Sequence, residues 1–120
     1  MDQPILPEML NGNFSDDYDI QYTINDTVWL QYPNTKYHIL FVDTNAQYIL
    51  AKNDINNPTD KALYTRIDFM YFQKMSPYTW GYCLSVFNAH SLEEAREKAA
   101  ADRSNPRTGC NGYPFSRMKK

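Results

Sequence analysis

The side chains that could carry chemistry are few in this 120-residue chain and thinly spread. Its imidazoles are His38 and His90 and its sulfur nucleophiles Cys83 and Cys110. A Cys83/His38 pair would make a nucleophile and its base, since both lie in strand-like runs. Nothing at a recognisable spacing supplies an oxyanion hole or a third, orienting group. Two isolated cysteines with two histidines lack the paired spacing of a zinc site, so no metal is expected. Asp16, Asp17 and Asp19 crowd a polar loop with no apolar surroundings to raise a carboxyl pKa, which leaves no carboxylate pair for glycoside chemistry. The expectation is a non-enzymatic protein without a cofactor.

Residue types suited to binding are better represented. Trp29, Tyr64, Trp80 and Tyr82 would form the wall or mouth of a cavity for a small apolar or aromatic ligand, and they serve equally as plain core. Arg66 joins them as a proposed ligand contact. It stands two residues from Asp68, hence on the same face of a strand. An inward-facing pair would be a buried ionic feature that orients a ligand or braces the fold, and an outward-facing one an ordinary surface pair worth under about 1 kcal/mol. The run from Asn53 to Asp60 gathers side-chain oxygens that a hard cation such as calcium could use, although asparagine and aspartate also make turns by bonding their own backbone.

The elements that must position these residues follow from patterning. One domain is the expectation at this length. Aromatics make up 15% of the chain and ten of them are tyrosines, which suits pleated, half-buried surfaces and recognition surfaces alike. Strand-like runs lie at Ile20–Ile24, Thr27–Gln31, Tyr37–Val42, Gln47–Lys52, Ala62–Phe72 and Thr79–Phe87, with Tyr37–Val42 apolar on both faces except for His38. The last run puts Trp80, Tyr82, Leu84 and Val86 on one side. Polar turn chemistry separates the runs, so the reading is a mainly β, antiparallel meander of about seven strands forming a small barrel or curved sheet. Ser91-Leu92-Glu93-Glu94 is a capping box, and it opens one C-terminal helix over 91–103 with a narrow apolar stripe of Leu92, Ala95 and Ala99. Residues 1–10, with two prolines and no period, read as an arm or linker, and 11–120 as the domain.

Net charge is −2 and the basic residues are scattered, apart from Arg117, Lys119 and Lys120 at the end, which read as a solubilising tail. There is no basic stripe for a phosphate backbone, so nucleic acid is not an expected partner. No apolar run is long enough to span a membrane. Cys83 and Cys110 read either as a disulfide or as one buried and one surface thiol. A bridge between them would stabilise the fold by roughly 3 kcal/mol and place it in an oxidising compartment. Two glycosylation sequons, at Asn13 and Asn25, are compatible with a secreted or periplasmic location.

Gly12-Asn13-Phe14 ahead of the first strand, the meander of short strands and the late helix together resemble the lipocalin and calycin group. Barrels of that group open with a Gly-x-Trp element on which a basic residue packs; here Phe14 stands at the Trp position. Three later segments, Tyr64–Phe69, Tyr78–Cys83 and Gly109–Phe115, are similar to small exported bacterial domains of unassigned function. The resemblance implies a ligand-binding barrel, export and the disulfide, and transfers no catalytic residue. An interaction module binding a protein or glycan through outward aromatics is the second expectation.

Overall fold

The computed structural model describes residues 4–120. Eight strands succeed one another: β1 (Gly12–Asp16), β2 (Gln21–Ile24), β3 (Val28–Gln31), β4 (Thr35–Asp43), β5 (Tyr48–Asn53), β6 (Tyr64–Tyr71), β7 (Trp80–Ala89) and β8 (Ser116–Lys119). Each pairs antiparallel with its neighbours in sequence, and β8 returns to β1, so the sheet closes into a barrel. The closing seam is short, pairing Ser15 with Lys119 and Asp16 with Met118. Arg117 reinforces it by donating from Nε to the Asp17 carboxylate at 3.0 Å.

Alternation decides the interior, because successive strand residues point to opposite faces. Phe14, Tyr22, Ile24, Trp29, Tyr37, Ile39, Ile49, Ile67, Phe69, Trp80, Tyr82 and Met118 turn inward as one cluster. Leu6 and Leu10 belong to the same cluster. Leu10 arrives on a single 3-10 turn, Glu8–Leu10, and Leu6 is tied down by its N–H donating to Asp26 Oδ1 at 2.8 Å. Two side chains of the segment expected to be an arm, Leu6 and Leu10, are thus buried in the core beside the β2–β3 turn, while Glu8 and Met9 stay exposed. Lys120 lies with its Nζ 5.8 Å from the centre of the Phe14 ring, which makes it the basic residue on the Gly-Asn-Phe element.

A second, smaller core lies outside the wall. Helix α1 (Leu92–Glu97) packs on the outer faces of β5, β6 and β7, burying Ala95 against Leu50 and Ala89, with Phe41, Tyr48, Val86 and Leu92 around them. Register shifts create this outer layer. One at Leu40 turns Phe41 outward against Leu50, and register shifts between β6 and β7 send Val86 to the outer face, away from Trp80, Tyr82 and Leu84. The capping box forms, with Ser91 Oγ accepting from Glu94 N–H at 3.1 Å and the Glu94 carboxylate accepting from His90 N–H.

The helix ends six residues earlier than the sequence pattern implies. Lys98 is extended, and the Arg66 guanidinium takes the freed carbonyls of Arg96 and Lys98 at 2.8 and 3.0 Å, meeting the hydrogen-bond demand of a helix C-terminus. From there the chain crosses the outer wall, fastened by the Cys83–Cys110 disulfide, whose Cα atoms are 5.6 Å apart. Among the described residues no helix is long and apolar enough to cross a membrane.

Candidate functional site

The five proposed ligand contacts do not converge. Trp29 and Trp80 are 0% exposed and Tyr82 is 6% exposed, all inside the barrel. Their rings fill the space between the walls: Trp29 meets Tyr82 at 4.9 Å and Trp80 at 5.8 Å between centroids, and Phe14 meets Trp80 at 5.3 Å, all near perpendicular. Such edge-to-face pairs add about 0.5–1.5 kcal/mol each beyond area burial. Tyr64 and Arg66 point the other way, to the outer wall under α1. One strand cannot show both Ile67 and Arg66 to the interior.

Arg66 and Asp68 nonetheless form a buried ionic cluster, because α1 and the segment after it cover that face. Asp68 is fully buried and accepts from Arg66 Nε and Nη2 at 3.2 Å, from Arg103 Nη2 at 3.1 Å, from Ala101 N–H at 3.3 Å and from Ser85 Oγ. Arg103 Nε also donates to the Phe69 carbonyl at 2.8 Å, and the Arg66 guanidinium lies 4.1 Å over the Tyr48 ring. Every partner is the protein's own, so this cluster braces the C-terminal segment against the barrel.

Inside, one polar chain runs through the packing. Tyr22 donates to Asp16 Oδ2 at 2.7 Å, which commits its single proton, so the 2.6 Å contact to Tyr82 has Tyr82 as donor. Asp16 Oδ1 meanwhile accepts from the N–H groups of Tyr18 and Ile20 at 2.8 and 3.0 Å. Burial raises both phenols well above their ordinary pKa, since a phenolate there would lose its hydration. The indole N–H groups of Trp29 and Trp80 have no hydrogen-bond partner, and each sits among perpendicular aromatic rings.

The concavity that the interior wall shares with solvent is at the opposite end from Leu6 and Leu10. It is a half-enclosed pocket of about 220 Å³ between the start of β4, the end of β7 and the β5–β6 connection. Tyr37 and Leu84, from the interior face, meet Phe87, Asn53, Thr59 and Asp60 there. The connection is held over the barrel by side chains committed to backbone. Asn53 Nδ2 donates to the carbonyls of Asp60 and Phe87 at 2.9 and 2.8 Å, and Asn57 bonds both the N–H and the carbonyl of Lys36. Asp60 and Ala62 have left-handed backbone, at φ 55° and 61°, a conformation that L-residues adopt at a cost and that clusters at functional sites. Tyr37 is driven up in pKa by burial and then by the charge of Asp60. A larger groove of about 570 Å³ beside Glu8, Met9 and Pro77 is more open and has no wall from the barrel interior.

The asparagine-rich loop therefore closes a mouth, and several of its side chains are spent on doing so. Asp54, whose carboxyl is held below the ordinary range by Asn56 N–H and then by His38, bonds His38 Nε2 at 2.7 Å. Among the described residues no three His, Cys, Asp or Glu side chains gather as metal ligands. His38 is thus engaged with Asp54 while Cys83 is bonded to Cys110, so the two do not meet. Tyr37, Asp60 and Phe87 lie far apart in sequence, and only the barrel's closure brings them together.

No family model matches the chain, and neither curated proteins nor solved structures give a match. The class is defined by the fold: a closed, eight-stranded, up-and-down antiparallel barrel, compatible with lipocalin-like architecture.

Proposed function

We propose that this is a non-enzymatic, extracytoplasmic binding protein of lipocalin-like architecture that takes a small apolar or aromatic ligand at the barrel mouth. The observation that carries the reading is the pocket at that end, where interior side chains, Tyr37 and Leu84, meet a loop pinned in place. Ligand seats are concave and combine apolar walls with a few polar groups; this pocket is smaller than the usual range and joins Tyr37, Leu84 and Phe87 to polar groups from Asn53, Thr59 and Asp60. Deeper seating in the barrel is disfavoured because Trp29, Trp80 and Tyr82 already occupy the space. The disulfide supports an oxidising location.

Amide NMR titration with a panel of small aromatic compounds tests the reading. Binders shift the signals of Thr59, Asp60, Leu84 and Phe87, and Thr59→Trp, which fills the pocket from an exposed position, abolishes the shifts. Shifts confined to other regions would refute it. A second reading, an interaction module for a protein or glycan, draws on exposed aromatics carried by connections, Tyr18 at 71% and Tyr113 at 73% exposure. A Tyr18→Ser/Tyr113→Ser variant that loses binding to an immobilised glycan panel would favour it.

A further inference from the structure

We infer that the mouth pocket selects a small organic cation, an amine with an aromatic or apolar body, for which Asp60 is the counter-ion. The inference rests on the pocket being the binding site. No lysine, arginine or histidine is among its lining residues, and Asp60 is the one carboxylate there. Among the described aspartates that are not fully exposed, Asp16, Asp17, Asp26, Asp43, Asp54 and Asp68 each accept hydrogen bonds on their carboxylates. Asp60 is the exception. Its backbone carbonyl is bonded, while its half-buried carboxylate has neither a donor nor an ion-pair partner among the described residues. A partly covered carboxylate beside a cavity, with no protein partner among the described residues, is open to water and to a cation carried by a ligand. Tyr37 and Phe87 line the same pocket with rings of the kind that attract a cation, and Leu84 supplies apolar contact for its body. An anion would meet the charge of Asp60 with no cationic side chain in the lining to offset it.

The test uses the full, oxidised chain at neutral pH and three probes of similar shape: phenethylammonium, 2-phenylethanol and 3-phenylpropionate. NMR titration is expected to show the ammonium binding about tenfold more tightly than the alcohol, as a charge-assisted hydrogen bond provides, with no binding of the carboxylate. Asp60→Asn keeps the side chain's size and its tolerance of left-handed backbone, and it erases the advantage. Thr59→Lys, at an exposed position, abolishes ammonium binding and admits the carboxylate. Equal binding of ammonium and alcohol, or unchanged preference in Asp60→Asn, would overturn the inference and leave a pocket for neutral ligands. Absence of shifts at Thr59, Asp60 and Phe87 with all three probes would overturn the pocket reading as well.

Discussion

The two faces of β6 are both buried, and they are buried by different physics. Thr65, Ile67 and Phe69 face a packed aromatic interior, while Arg66 and Asp68 face a layer of helix and chain in which an ionic cluster sits beside the small apolar core of Leu50, Ala89 and Ala95. Inside, two indole N–H groups go without conventional partners and the packing tolerates it, because large rings contribute mainly through area removed from water. Outside, a single carboxylate organises two guanidinium groups, a hydroxyl and a backbone N–H. Area holds the barrel together; geometry holds the wrap in place.

Cutting away one member of each region gives the largest expected effects. Asp68→Ala strands two arginine side chains without their shared partner and is expected to cost about 3–5 kcal/mol. Trp80→Ala leaves a large cavity and is expected to cost a similar amount, about 3–5 kcal/mol. The conservative replacements separate the two: Trp80→Phe recovers most of its loss, since no hydrogen bond is forfeited, whereas Asp68→Asn recovers little, since an amide turns N–H groups toward guanidinium groups. Equal recovery in denaturant unfolding would break the distinction. Removing the disulfide with paired Cys83→Ser/Cys110→Ser changes should lower stability by roughly 3 kcal/mol, read by thermal melting.

Alkaline pH probes the interior in a different way. The phenols of Tyr22, Tyr37 and Tyr82 are raised above their ordinary values, so the folded chain keeps protons that the unfolded chain gives up above about pH 10. The stability they contribute is complete below that pH and lost as it rises further. Ultraviolet absorbance should show these phenolates appearing only with unfolding, and early titration of all ten tyrosines would contradict the packed interior. The smallest effect is expected for Lys120→Ala, where loss of the ring contact with Phe14 costs about 0.5–1 kcal/mol.

The alternating runs that became β2 to β7 are legible from residues alone, as is the capping box, because local pattern and turn chemistry specify them; the cysteines left a bridge and two separate thiols open, and the fold brings them together. The closing strands are not. Asn13 and Ser15 in β1 and Arg117 and Lys119 in β8 read as turn and tail, since a short strand with polar alternates carries little signal and its pairing is set by a partner about a hundred residues away. Val86 and Phe41 are assigned to faces by bulges, which shift period two without leaving a composition mark. The helix pattern continues past Glu97 through Ala99, Ala100 and Ala101, but Arg66 and Asp68 claim that backbone. The candidate ligand contacts scatter for the same reason: side-chain type shows what can bind, and only closure shows which residues share a cavity.

The absence of free sheet edges depends on the short seam between Ser15 and Lys119. With β8 undocked, β1 and β7 would each leave one flank of the ladder open. The sheet would then be a curved ribbon with two sticky borders, so detachment of that one strand would invite edge-to-edge aggregation rather than merely weaken the protein.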